Sequence, residues 1–248
     1  FAEVFRQVSH SIEEDLLRAE LIAVPLTAVL LLFVFRSAVA AALPLAIGAL
    51  SVVSTFVVLR VINSFTDVSV FALNLTTALG LGLAIDYSLF VVSRFREEMA
   101  AGHATGPAVV RTVRTAGRTV AFSAGTVAVS LLALLVFPFG FLRSFAYAGV
   151  AVALLAGLYS VLVLPAMLAA LGPRIDAWSL PRRRTRPDEE GFWHRMAVAT
   201  MRRPLPIATV VVALLLVLGA PFLRFAAGLP DDRVLPDEFS SRQVADEI

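Results

Sequence analysis

The chain has 248 residues, of which 58% are hydrophobic, and its mean hydropathy is +0.84. An ordinary soluble domain is about 45–50% apolar, so this composition favours a membrane protein over a soluble one. The formal net charge is only +2, and the absence of Cys excludes disulfides and Cys-ligated metal sites. His10, His103 and His194 are scattered without metal-ligand spacing. We therefore expect neither a cofactor nor a nucleic-acid partner.

The first predicted element is an amphipathic helix over residues 1–16. Apolar residues recur there at helical spacing, and Glu13, Glu14 and Asp15 occupy polar positions. A helix that lies on a membrane surface is usually richer in basic residues. The pattern therefore favours a helix that leads from an extracytoplasmic domain into the first membrane span.

Six apolar stretches follow, and each is predicted to cross the membrane as a helix, because about 20 apolar residues span the hydrocarbon layer. Five of them form a predicted bundle over residues 17–172, and the sixth follows a linker. Arg36 and Ser37 separate the first two stretches, which predicts a very tight hairpin. The predicted fold class is an all-α membrane protein. The six stretches are residues 17–35, 38–59, 70–92, 119–137, 144–171 and 204–224.

The polar segments predict the orientation of these spans. Residues 173–203 read as an Arg-rich linker, and residues 225–248 read as the truncated start of an extracytoplasmic domain. Fourteen of the 21 Arg lie in loops on one side of the predicted spans, at positions 36, 94–118 and 174–203. Because cytoplasmic loops collect Lys and Arg, that side is predicted to be cytoplasmic. Both ends of the chain are then expected to be extracytoplasmic.

Asp86 is the candidate functional residue, because it lies well inside the third predicted span. A carboxylate near the centre of a bilayer costs about 2.5–3.5 kcal/mol on insertion scales, so such groups usually serve ions, protons or substrates. Burial disfavours the charged form of a carboxyl group, which suits a site that takes up and releases a proton. Tyr87 is adjacent in sequence but points about 100° away on a helix, so each residue needs a partner elsewhere.

Other residues are predicted to support this site. Gly82 and Phe90 lie four residues before and after Asp86, on the same helix face, and Gly80 lies six residues before it. Small residues such as these glycines let another helix approach closely. For Phe90, a gating role and ordinary packing both remain open. Ser123 and Thr126 belong to a hydroxyl stripe on the fourth span that also includes Thr119 and Ser130. The stripe either lines a water path beside Asp86, or its residues bond their own backbone or pack against another helix.

The third span also carries a family resemblance. Residues 71–98, which include the run GLGLAIDY that ends at Tyr87, closely resemble the signature of the MMPL family. That family is a branch of the RND (resistance–nodulation–division) superfamily of proton-driven exporters and is best known from mycobacteria and other actinobacteria. Further stretches that fit the resemblance are residues 15–20, 115–120, 136–143 and 228–236.

The resemblance implies an RND-type bundle with twelve spans in two related halves. The chain would then be an internal fragment that runs from the second span into the seventh. Asp86 and Tyr87 match the family's Asp-Tyr motif, which pairs crosswise with an Asp-Tyr of the missing second half to form a proton relay. The parent protein would be a secondary transporter of the bacterial plasma membrane, not an enzyme. Its expected partners are protons, membrane lipids and a lipid or other hydrophobic substrate.

Two other classes of protein compete with this interpretation. An intramembrane aspartyl protease needs a second catalytic Asp, and one type carries Gly-x-Gly-Asp. Three residues separate Gly82 from Asp86, and Asp67 lies in a predicted outer loop, so the protease is disfavoured. A sterol- or lipid-sensing or protein-translocating RND relative that does not export lipid stays open. A matching Asp-Tyr span in the second half would favour the transporter.

Overall fold

A computed structural model describes residues 21–179 and 192–221 of the chain. These ranges contain nine α-helices. The predicted helix over residues 1–16 and the predicted domain start over residues 225–248 lie outside them. The helices are α1 (Leu21–Phe35), α2 (Ala38–Ile62), α3 (Phe71–Ala100), α4 (Thr105–Thr112), α5 (Arg118–Leu132), α6 (Gly140–Val161), α7 (Val163–Leu171), α8 (Phe192–Arg202) and α9 (Pro204–Gly219).

Four helical stretches in the described ranges are long and apolar enough to cross a membrane, which confirms the all-α membrane class. They are Ala38–Ile62, Phe71–Ala100, Thr105–Val136 and Gly140–Asp176. Helix α1 is shorter, and the first predicted span begins four residues before it. Helices α8 and α9 are bent by 98° and pass the same test only as a pair, which raises the number of spans to five. The number six stays a prediction.

Several helix ends differ from the apolar boundaries in the sequence. Helix α3 continues to Ala100, eight residues past the predicted span, and ion pairs of Arg94 with Glu97 and Glu98 stabilise this polar extension. A π-helical turn, Val113–Gly117, joins α4 to α5, so much of the predicted loop 94–118 is helical. Helix α8 likewise lies inside the predicted linker.

The fifth predicted span consists of two helices, α6 and α7, that meet at Leu162. Pro165 causes this break. It has no backbone N–H to donate to the carbonyl of Val161, four residues earlier, and its ring would clash with that carbonyl in a regular helix. The sequence shows the proline, and the structure shows that the regular helix is interrupted three residues before it, at Leu162.

Helices α3 and α6 form the centre of the bundle within residues 21–179. Helix α3 packs against α2 and α6, and α6 also packs against α5. Small residues allow these close approaches. A Cβ atom on Gly80 would lie 2.8 Å from Val152 and 2.9 Å from Val52. A Cβ on Gly157 would lie 2.6 Å from the Cβ of Ala124.

The Arg-rich end of the bundle is joined by hydrogen bonds between distant segments. Arg36 adopts a positive φ of 54° in the tight hairpin between α1 and α2. The Ser37 hydroxyl bonds the carbonyl of Ile175 at 2.7 Å. Arg96 donates to the carbonyl of Phe35 at 2.8 Å and pairs with Asp176 at 2.5 Å. Together these contacts fasten the α1–α2 hairpin, the end of α3 and the segment after α7.

Candidate proton-relay site

Helix α3 places Asp86 and Tyr87 on opposite sides of a packing boundary. Asp86 is exposed, whereas Tyr87 is buried in the core with 6% of its surface accessible. This follows from the turn of about 100° between neighbouring residues on a helix, as expected from the sequence. Asp86 therefore faces away from the packed bundle, and Tyr87 faces into it.

Asp86 belongs to a stripe of exposed residues along α3. Ala78, Gly82, Phe90, Ser93 and Glu97 are exposed with it, at helical spacings of three and four residues. Phe90 is 47% exposed, and no atom lies within 4 Å of a Cβ built on Gly82. In the described residues the close helix approach thus occurs at Gly80, not at Gly82. The Gly82 face is open.

Two cavities flank Asp86 along this stripe. The first has a volume of about 360 Å³, lies between α1, α2 and α3, and includes Gly82, one turn before Asp86. Asn74 and Thr77 supply polar groups on its α3 wall. The second has a volume of about 500 Å³ and begins at Phe90, one turn after Asp86. Asp86 lies between the cavities, and neither lining includes it.

The Tyr87 hydroxyl is buried and has no hydrogen-bond partner among the described residues. The Oγ atoms of Ser88 and Ser160 are in the same condition. A buried hydroxyl without a partner carries a desolvation cost of about 1–3 kcal/mol. The Tyr87 hydroxyl is therefore a polar group in the apolar core of the bundle without a hydrogen-bond partner among the described residues.

The hydroxyl stripe of α5 divides into two kinds of residue. Thr126 donates to the carbonyl of Phe122 at 2.9 Å, and Ser130 donates to that of Thr126 at 2.9 Å. Thr119 bonds its own helix in the same way at 3.3 Å. Ser123 makes no hydrogen bond in the described part of the chain and is half-buried. For three of the four hydroxyls the structure favours backbone bonding, while Ser123 is free to bond elsewhere.

A polar cluster at the end of α3 was missed by the sequence analysis. Glu98 is 5% exposed, pairs with Arg94, and has the His103 Nδ1 at 3.2 Å and Arg111 at 4.0 Å. The spacing of Arg94 and Glu98, four residues apart on one helix, was a signal that could have revealed the first pair. His103 reaches Glu98 from the turn that directly follows α3. Arg111 reaches it only because α4 folds back beside α3, and no spacing rule predicts that contact.

These features define a class: a multi-span helical membrane protein with a carboxylate on the open face of a central helix. The sequence profile of the MMPL family matches residues 1–207, and the chain belongs to that family. This confirms the resemblance found in the sequence.

Curated relatives support the assignment. The chain is 41% identical to the trehalose monomycolate exporter MmpL3 of Mycolicibacterium smegmatis, over 98% of this chain and 27% of that protein. It is 43% identical to the putative membrane protein SCO6666 of Streptomyces coelicolor, over 98% of this chain and 34% of the relative. The mycolic acid-containing lipids exporter MmpL11 of M. smegmatis is 36% identical, over 87% and 23% respectively. The chain thus spans between about a quarter and a third of the length of the relatives it matches.

Proposed function

We propose that this chain is part of a proton-driven exporter of lipids or other hydrophobic molecules, in which Asp86 carries the proton. One observation carries the proposal: Asp86 lies on the open face of α3 between two cavities, with Gly82 in the wall of one and Phe90 in the wall of the other. A carboxylate between two cavities can exchange a proton with water in either of them. Relatives that are named as lipid exporters support a lipid as the transported substrate.

The relay requires a partner for each residue of the Asp-Tyr pair. Asp86 presents its carboxylate outward, where the second half of the full-length protein would supply an Asp-Tyr of its own. The Tyr87 hydroxyl is buried without a partner among the described residues. A change of Tyr87 rotamer in the assembled protein would satisfy this hydroxyl and bring it to the relay. Phe90, one turn after Asp86 on the exposed stripe, separates Asp86 from the second cavity.

The proposed orientation places the Arg-rich end of the bundle in the cytoplasm of a bacterial cell, with both ends of this chain on the outside. Protons would then enter at the outer end of the bundle, where the loop between α2 and α3 lies, and leave past Phe90 towards the cytoplasm. One charge that crosses 100 mV supplies about 2.3 kcal/mol. Lifting a lipid out of a leaflet therefore calls for more than one proton per cycle when its cost exceeds that value.

The test uses the full-length protein in proteoliposomes with an imposed pH gradient, with internal pH and lipid release recorded together. Asp86→Asn keeps the size and hydrogen bonding of the side chain but cannot carry the proton, so we expect it to abolish both signals. Asp67→Asn removes a carboxylate from the exposed loop before α3 and is the matched control, expected to keep both. Unchanged flux in Asp86→Asn would refute the relay. Lipid binding by the wild type without proton flux would favour a lipid sensor.

A second comparison tests the hydroxyl stripe. Ser123→Ala removes the one hydroxyl of the four that is free to bond outside its own helix. Ser130→Ala removes one that bonds the Thr126 carbonyl. If Ser123 contributes to the water path, its variant slows proton flux while the Ser130 variant does not. Equal rates in both variants would exclude Ser123 from the path.

A further inference from the structure

A buried carboxylate at the end of α3 takes no part in the proposed relay. Glu98 is 5% exposed, and Arg94, His103 and Arg111 face it. We propose that this cluster is a pH switch: when His103 takes up a proton, it replaces Arg111 at the Glu98 carboxylate and thereby weakens the attachment of α4 to α3. The inference depends neither on Asp86 nor on the transported substrate.

The two carboxylate oxygens of Glu98 have different partners. Oε1 accepts a hydrogen bond from Arg94, which also pairs with the exposed Glu97. Oε2 lies 3.2 Å from Nδ1 of His103 and 4.0 Å from Nη1 of Arg111. His103 and Arg111 therefore compete for one oxygen atom, and the histidine is the nearer of the two.

The charges of the cluster balance while His103 is neutral, because it then holds two carboxylates, Glu97 and Glu98, and two guanidinium groups, Arg94 and Arg111. In the neutral ring Nδ1 carries the hydrogen, since it faces two acceptors, the Glu98 carboxylate and the Glu98 backbone carbonyl at 3.1 Å. A second proton then binds at Nε2 and gives the cluster a third positive charge.

Arg111 is the cation that this third charge displaces. Its distance from Oε2 is the longer one, and its side chain is 58% exposed, so water can replace the carboxylate at little cost. The His103 side chain is 30% exposed and lies at the C-terminal end of α3, where the helix dipole favours a positive charge. Like charges beside one oxygen repel each other, so the protonated His103 stays and Arg111 moves into solvent.

The displacement affects α4 because Arg111 is the only charged residue of that helix. Without this ion pair α4 keeps its apolar contacts, among them those of the fully buried Ala108. Helix α7, which also packs against α4, has no charged residue. Other charged groups on the neighbouring segments form no ion pair with His103 in the described part of the chain; they are Arg114 in the π-helical turn and Arg174 and Asp176 after α7. Histidine normally changes charge between about pH 5 and pH 8, so α4 is held more firmly above that range than below it.

The test is hydrogen–deuterium exchange of the full-length protein in detergent micelles, measured on peptides from α4 at about pH 7.5 and about pH 5.5. Labelling times are scaled to the intrinsic exchange rate at each pH. An ion pair with an exposed partner is weak, so we expect the protection of α4 in the wild type to fall about threefold at the lower pH. Peptides from α6 are the internal reference and should keep their protection.

Four variants assign the change to individual groups. H103Q stays neutral and should keep the protection of α4 at both pH values. H103K is charged throughout and should show the lower protection at both, which also covers the case in which H103Q fails to fold. R111Q lacks the displaced cation and should likewise show the lower protection at both, whereas H194Q, in α8, should behave like the wild type. The proposal is overturned if α4 protection in the wild type stays constant or rises at the lower pH, or if H103Q or R111Q shows the same fall as the wild type.

Discussion

Two adjacent glutamates at the end of α3 provide a direct test of the packing there. Glu98 is 6% exposed at its side chain and faces Arg94, His103 and Arg111. Glu97 is 63% exposed and pairs with Arg94 alone, at 2.8 Å. Both carboxylates share one cation, so the comparison of Glu98→Gln with Glu97→Gln isolates burial and the additional partners.

The expected magnitudes follow from exposure. Removing one partner of a fully buried ion pair costs about 3–5 kcal/mol, because the other charge is left without compensation. Here the Arg94, His103 and Arg111 side chains keep 37%, 30% and 58% of their surface, so water screens them in part. We expect Glu98→Gln to lower the free energy of unfolding by about 2 kcal/mol. The exposed pair of Glu97 is worth less than about 1 kcal/mol.

The measurement is equilibrium unfolding of the full-length protein in mixed micelles, with helicity followed by circular dichroism. Raising the ionic strength should shrink any effect of Glu97→Gln and leave most of the effect of Glu98→Gln, since buried pairs are screened less. The reasoning fails if the two variants lose equal stability. It fails also if Glu98→Gln is as stable as the wild type, since the cluster would then not hold α4 against α3.

Two pairs of glycine substitutions, each a test with its control, probe the helix contacts and the backbone by the same unfolding measurement. Gly157→Ala places a Cβ 2.6 Å from that of Ala124, well inside the usual 3.5–4.0 Å between carbon atoms. It should cost about 1–3 kcal/mol. Gly125→Ala, in the middle of α5, meets no atom within 4 Å and should gain about 0.5–1 kcal/mol. Gly172→Ala forces a side chain into a φ of 51° and should cost about 1–2 kcal/mol. Gly106→Ala, in the open on α4, should gain about 0.5–1 kcal/mol. Matched variants with equal stability would contradict these packing assignments.

The sequence alone determined the membrane class and the candidate residue. Apolar blocks long enough to cross a bilayer are a local property, because helix rise and hydrocarbon thickness set their length. The tight turn after Phe35 could be predicted for the same reason, since Arg36 and Ser37 interrupt the apolar run. The cost of a carboxylate within such a block singles out Asp86 without any knowledge of its neighbours. The separation of Asp86 from Tyr87 followed from helix geometry.

The tertiary structure decided which residues meet. The sequence named both Gly80 and Gly82 as small residues that let another helix approach. Within the described residues a neighbouring helix lies against Gly80, while Gly82 borders an open cavity. Arg96 and Asp176 are 80 positions apart and still form an ion pair. Such contacts depend on how the helices are rotated and stacked against one another. Several rotations bury comparable apolar area, so periodicity cannot choose among them, and only the interlocking of small and large side chains does.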